Sequence, residues 1–292
     1  MTNKGIILAG GTGSRLAPIT DAVSKQLLPL FDKPMIYYPL TTLMSAGIRN
    51  ICIIVNRDQE NNFRNVLQDG SQWGLNLKFI CQNSPDGLPQ AYTLAETFLS
   101  GDKSCLILGD NLLVGSGLGR KLSNFSGSTG ANIFLYEVED PKKYGNVELD
   151  TRNKIIGIVE KPEVPLSPYA IPGIYFLDGT ASERAKLLKK SSRNEFEMVD
   201  LLQSYLSDNQ LHHEILSRGT AWLDTGSPED LFSASEFVRI IQKRQGHFIG
   251  CPEEVALRNH WITVEELQMG KNFQIKSEYG RYLRWLSEMS WN

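Results

Sequence analysis

The sequence has little that would suit a nucleic-acid, metal-cluster or membrane protein, and each shortage excludes a class of function. Positive charge is not in excess: 30 Lys and Arg stand against 33 Asp and Glu, giving a net charge of −3 and a pI near 5.9. A protein that grips a phosphate backbone usually carries a basic face, so a nucleic-acid partner is not expected. Cys52, Cys81, Cys105 and Cys251 are scattered, with no C-x-x-C pair and no spacing suited to a zinc knuckle. Free thiols in a reducing compartment fit that pattern. Histidine is scarce, with 4 in the chain, and the neighbours His212 and His213 match no zinc spacing. They read as structural residues of an edge strand, Leu211 to Ile215. No apolar run reaches the roughly 18 residues that a membrane helix needs. The apolar run Ile6 to Ala9 is interrupted by glycine at once, unlike a signal peptide. A cytoplasmic location without membrane contact is therefore expected. No internal repeat and no low-complexity segment stands out.

What is present is a pattern of short, branched apolar runs closed by Gly, Asn or Asp. Gly5 to Ala9, Ile51 to Val55, Leu77 to Cys81, Cys105 to Leu108 and Ile133 to Val138 read as buried strands. Between them lie helical stripes: Met35, Leu40, Leu43 and Met44, then Phe63, Val66 and Leu67, then Ala91, Leu94, Ala95 and Phe98. Strands alternating with helices predict an α/β fold with a doubly wound, mainly parallel, Rossmann-like mixed sheet flanked by helices. In such sheets ligands bind beyond the carboxyl ends of the strands. After Asp140 the chain becomes strand-rich, around Gly145 to Leu149, Ile155 to Glu160 and Gly173 to Leu177, and reads as a half that completes the site from the other side. A helix from Pro228 to about Gln245 follows. The predicted organisation is one α/β domain over 1–245, in two halves at about 1–138 and about 139–245 that build the site from opposite sides. A C-terminal helical segment, 246–292, completes it. In that segment Tyr279, Tyr282, Leu283, Leu286 and Met289 share a helical face that must dock on this chain or on a neighbour.

Leu8 to Leu16 places a glycine-rich loop, Gly10-Gly11-Thr12-Gly13-Ser14, directly after the first strand, where backbone amides can turn toward a polyphosphate. Alone, such a loop is equally a tight connection, and it lacks both the Lys-Ser/Thr ending of a P-loop and the glycine spacing of a dinucleotide fingerprint. Arg15 and Lys25 follow closely and can neutralise a triphosphate. Asp110 ends a buried strand and Asp224 lies in a loop bounded by Gly226. Each alone could be a cap or turn former. Together they could hold the one or two carboxylate contacts that magnesium takes when it rides on a triphosphate. Gln82 carries a donor and an acceptor suited to a pyrimidine edge, or is a solvated strand-end residue. Glu160 and Lys161 could meet sugar hydroxyls and a sugar phosphate, or form a surface ion pair. Trp73 and Trp222 read as packing or pocket-wall residues.

The stretch Gly10 to Pro34, with G-G-x-G-S-R-L, Lys25-Gln26-Leu27-Leu28-Pro29 and Lys33-Pro34, resembles the signature of the sugar nucleotidylyltransferases. Further ordered motifs extend the likeness over about residues 4–258: Asp69 to Gly74, Gln82 with Pro85-Asp86-Gly87-Leu88, Leu108 to Asn111, Tyr144-Gly145, Glu160-Lys161-Pro162, and Trp222 to Gly226. These look like the short bacterial glucose-1-phosphate thymidylyltransferases. The resemblance implies transfer of a nucleotidyl group from dTTP to glucose 1-phosphate with Mg²⁺ as cofactor. It assigns the nucleotide to Leu8, Gly10, Gly11, Thr12, Gly13, Ser14, Arg15, Lys25, Gln26, Gln82, Pro85, Gly87 and Asp110. It assigns the sugar phosphate to Leu88, Tyr144, Gly145, Glu160, Lys161, Ile171, Gly173 and Trp222, and the metal to Asp110 and Asp224. Arg15, Lys25, Asp110, Lys161 and Asp224 are then the catalytic set.

A sugar phosphate is mostly a dianion at neutral pH and needs no general base, which accounts for the lack of a poised histidine. Two rival readings remain at this stage: the same chemistry with UTP or another hexose 1-phosphate, and an inactive regulatory relative. Asn146, where these enzymes more often have a hydrophobic residue, and Pro172, where threonine is usual, are expected near the sugar pocket; Ser14 for threonine is a mild change. The resemblance also implies a homotetramer and a feedback site between subunits. One half of that site, Cys251-Pro252-Glu253-Glu254 with Arg258, is present. The other half reads Val114-Gly115-Ser116 in place of Tyr-Gly-His, so weak inhibition by dTDP-rhamnose, or a different effector, is expected.

Overall fold

The computed structural model describes residues 4–125 and 129–291. In chain order its strands are β1 (Lys4–Ala9), β2 (Pro29–Leu30), β3 (Lys33–Pro34), β4 (Asn50–Asn56), β5 (Asn76–Gln82), β6 (Ser104–Leu108) and β7 (Asn111–Val114). Then come β8 (Ala131–Glu137), β9 (Gly145–Leu149), β10 (Ile155–Glu160), β11 (Tyr169–Ala170), β12 (Ile174–Leu177), β13 (Leu211–Ile215) and β14 (Ala221–Asp224). Ten of them form one twisted sheet in the order β10-β9-β11-β8-β12-β6-β1-β4-β5, with β13 paired to β8. The β6-β1-β4-β5 side is parallel, and β12 enters antiparallel to both β6 and β8. The fold is the α/β, mainly parallel mixed sheet that the alternating pattern predicts.

Why these runs are central strands is plain from their burial: Ile51 to Val55 are all fully buried. Successive residues face opposite sides of the pleat. Ile7, Ile53 and Val55 therefore pack into one hydrophobic layer, with the helix Tyr37–Ser45, while Ile6, Cys52 and Ile54 pack into the other, with Tyr92, Leu201 and Tyr205. The long helix Pro228–Gln245 is bounded by its own sequence. Ser227 and Asp230 form a reciprocal capping box, proline takes the first turn, and Gly246 stops the helix in the left-handed region at φ 72°.

The C-terminal helices Pro252–Arg258, Val264–Met269 and Glu278–Ser287 fold back onto the body of the chain. The stripe that the sequence requires to dock on this chain or on a neighbour is largely covered by its own chain: Tyr282, Leu283 and Leu286 are buried. Phe248 stacks on Tyr282 at 4.4 Å between centroids, and the Tyr282 hydroxyl donates to Glu254 Oε2 at 2.6 Å. Trp285 and Met289 stay partly exposed. Lys33 anchors the same region from the other end, donating to Asp32, to Gln242 and to the carbonyl of Ile249. None of the described helices is long and apolar enough to cross a membrane.

Candidate active site

A cavity of about 1050 Å³ opens beyond the carboxyl ends of β1, β5 and β6. All of the nucleotide, sugar-phosphate and metal residues expected from the sequence line it, apart from Gly10. Gly10 sits just behind the wall, its carbonyl accepting the Gln82 amide, and a Cβ there would stand 2.3 Å from that amide.

One side of the cavity is built by β1 and the turn that follows it. Gly13 adopts φ 64°, a left-handed conformation that costs glycine little, and Thr20 donates to its carbonyl at 2.9 Å. The short helical turn Ser14–Leu16 is pinned by buried Leu16 and leaves Arg15 exposed at the cavity. An added Cβ on Gly226 would lie 3.1 Å from the Arg15 guanidinium and 3.2 Å from the Asp224 carboxylate, so both groups crowd the same glycine. Lys25, almost wholly buried, pairs with Asp110 at 2.6 Å.

Asp110 and Asp224 approach on the ribbon β7–β14, where Asp224 is the register partner of Asn111. Thr225 locks the two segments by donating to the Asp110 carbonyl at 3.0 Å. Burial, and then the negative charge of Asp110, push the Asp224 carboxyl above its ordinary range. Two facing carboxylates with only partial compensation from Lys25 and Arg15 form a donor set that suits a hard divalent cation.

Elsewhere in the cavity Tyr144 and Trp222 meet at 4.8 Å between ring centroids, and Trp222 Nε1 donates to Asn111 Oδ1 at 2.7 Å. Glu160 is pushed upward by burial, against the opposing charges of Lys161 and Arg193. Lys161 sits at φ 41°, an uncommon conformation for a residue with a side chain, and its N–H donates to the Tyr144 carbonyl at 3.1 Å. Arg193 lies 2.6 Å from Glu197 and 3.4 Å from Glu160. The segment before Glu197 also closes onto the loop of Pro85 to Leu88: Phe196 N–H donates to the Asp86 carbonyl at 2.7 Å, Gly87 and Phe196 form a bridge, and Lys190 pairs with Asp86 at 2.8 Å.

A cavity lined by Arg15 and Lys25 beside a carboxylate pair, and also by Lys161 and Arg193, can hold two phosphate-bearing molecules. The family profile described as "Nucleotidyl transferase" matches residues 4–240. The chain belongs to that family. Two curated relatives, both named "Glucose-1-phosphate thymidylyltransferase", come from Xanthomonas campestris pv. campestris and Mycobacterium tuberculosis. The first is 50% identical over 98% of this chain and 97% of its own, the second 47% over 98% and 99%. A solved Bacillus anthracis structure, described as a glucose-1-phosphate thymidylyltransferase in complex with a sucrose, is 36% identical. It has a TM-score of 0.75 and covers 81% of this chain and 95% of its own.

The transferase also brings residues to the cavity that the sequence did not single out. Arg193, Glu195, Glu197 and Lys143 line it. Their segments read as ordinary charged surface, and only the Arg193–Glu197 spacing carried a signal. Asn111 was quoted in a motif but given no role. It is buried and acts as a hub, donating to Asp110 and accepting from Trp222 and Gly173 N–H.

Asn146 and Pro172 stand next to the cavity-lining residues Gly145, Ile171 and Gly173, but neither lines the cavity itself. Asn146 is fully buried, and its amide donates to the carbonyls of Ser167 and Tyr169 at 2.9 and 2.7 Å and accepts the N–H of Leu166 at 2.6 Å. Alternation along β9 explains this, since Gly145 faces the cavity and Asn146 turns away. Pro172 is likewise buried outside the cavity lining, between Ile171 and Gly173, which do line it.

Proposed function

We propose that the transferase moves the thymidylyl group of dTTP onto glucose 1-phosphate, giving dTDP-glucose and pyrophosphate. The observation that carries this reading is the single cavity holding a glycine loop with Arg15 and Lys25, the Asp110 and Asp224 carboxylates, and Lys161 with Arg193. The curated relatives' shared name supplies the two substrates. The sugar phosphate enters as a dianion, so an oxygen of it attacks the α-phosphorus in line without a base. Catalysis is then positioning and charge stabilisation. Lys161 and Arg193 orient the attacking phosphate, Lys25 faces the α-phosphate, and Arg15 stabilises the departing pyrophosphate. Glu160 accepts sugar hydroxyls, with Tyr144 and Trp222 walling the ring. Leu8, Gln26, Pro85 and Leu88 complete the walls of the two half-sites.

Asp110 and Asp224 would hold Mg²⁺, which when bound neutralises the triphosphate and orients its α-phosphate. The reading also includes a cytoplasmic location and a homotetramer. The tetramer rests on the family resemblance and on Phe232 and Ile240, which stand exposed on the helix Pro228–Gln245. The test is pyrophosphate release for each common nucleoside triphosphate against a panel of hexose 1-phosphates. The dTTP and glucose 1-phosphate pair should give the highest kcat/KM, and a higher value for UTP or another hexose would move the assignment.

A further inference from the structure

Gln82 carries the donor and acceptor suited to a pyrimidine edge, the family resemblance assigns it to the nucleotide, and what holds it lies outside the cavity. Gln82 ends β5 and Asn56 ends β4, and the two are register partners across the parallel pair. The Gln82 amide nitrogen donates to the Gly10 carbonyl at 2.5 Å and to Asn56 Oδ1 at 3.2 Å. A backbone carbonyl can only accept, so the atom facing it must be the amide nitrogen. Turned over, the amide would set its oxygen against two acceptors. Both amide hydrogens are thus used on the protein side. Oε1 receives no hydrogen bond from any described residue, and Gln82 lines the cavity.

The geometry points to Asn56 as a positioning residue for base choice: with Gly10 it fixes Gln82 so that only an acceptor is offered to the base. An acceptor complements the N3–H of thymine or uracil and opposes the unprotonated N3 of cytosine. This rests on the placement of the base at Gln82, so the experiment separates the two claims. The ratio of kcat/KM for dTTP to that for dCTP is measured in the wild type, Asn56→Ala, Asn56→Asp and Gln82→Leu, with melting temperature as the check on folding. Asn56→Ala removes one of the two restraints, each a neutral hydrogen bond, and should lower the ratio about three- to tenfold. The change should come through a raised dTTP KM with kcat kept. Asn56→Asp retains an acceptor and should keep the ratio within about twofold.

A folded Asn56→Ala with an unchanged ratio, or one losing turnover equally with both nucleotides, overturns the role of Asn56, provided Gln82→Leu collapses the ratio. If Gln82→Leu leaves the ratio intact, it is the base placement that fails. Should Asn56→Ala not fold, Asn56→Asp decides: a collapsed ratio in that folded variant overturns the inference.

Discussion

Asp110 and Asp224 are proposed to do the same work, yet the fold treats them oppositely, and replacing each by asparagine should separate function from stability. Asp110 is the partner of Lys25, whose side chain is 6% exposed, at 2.6 Å. Asp110→Asn leaves that ammonium with a neutral acceptor in a poorly solvated place. Full loss of a partner from a buried pair costs about 3–5 kcal/mol. Asp110 is 23% exposed and asparagine keeps an acceptor oxygen, so about 1–2 kcal/mol is the appropriate share. For a chain of this size that lowers the melting temperature by roughly 2–4 °C. Asp224 is instead destabilised as an anion by its own burial and by the charge of Asp110. Asp224→Asn removes that conflict and should stabilise by about 0.5–1 kcal/mol, a common consequence of relaxing a strained active site. Calorimetry at neutral pH with a chelator present isolates the protein terms from any metal. Both variants should lose turnover by about 100-fold or more at saturating magnesium. Melting shifts of the same sign, or near-normal rates in both, would refute the assignment of Asp110 as cation partner and Asp224 as strained ligand.

Three further outcomes follow from particular contacts. Asn146→Val strips four hydrogen bonds from the 166–169 backbone and should cost about 2–4 kcal/mol in denaturant unfolding; an unchanged midpoint would show that the loop repacks freely. Gly87→Ala places a Cβ 2.1 Å from the Phe196 carbonyl at a φ of +114°, so the loop of Pro85 to Leu88, proposed to hold the base beside Gln82, must move and the triphosphate KM should rise while the fold survives. An unaltered KM would exclude the Gly87 loop from the base site. Burial raises the Glu160 pKa in the folded state above its unfolded value, so the folded protein binds the proton more tightly. That stabilisation is fully present below the unfolded value and is lost as the pH rises through the folded one. Glu160→Gln should flatten the decline across that window, and identical pH profiles of unfolding free energy would contradict it.

The strands were legible in the sequence because central parallel strands are buried on both faces and read as unbroken apolar runs, as Ile51 to Val55 do. The helix Pro228–Gln245 was legible at about its observed bounds, and Ser227, Pro228 and Gly246 punctuate its two ends. The ribbon β7–β14 was not, since its partners are far apart in the chain and Asn111 to Val114 carries no local sign of where Ala221 to Asp224 will land. Which way Asn146 turns was not legible for a related reason: a polar residue beside a pocket motif can face the pocket or the core until the pleat shows its direction. Arg193 was missed because a cation in a charged loop is indistinguishable from solvated surface without the fold that turns it inward. The tail stripe declared that it must be covered, but periodicity cannot name the cover.

The contacts of Gly87 with Phe196 and of Asp86 with Lys190 bear on how the enzyme could be inhibited. Occupying either substrate's pocket is one route, and such a compound competes with that substrate alone. A compound that prised Phe196 away from Gly87 would be a different agent. It would loosen the loop proposed to hold the base and, in the same movement, the segment carrying Arg193 toward the sugar phosphate. Because it and the substrates would favour different positions of the same two segments, raising either substrate's concentration would weaken its hold, and both substrates together would weaken it most.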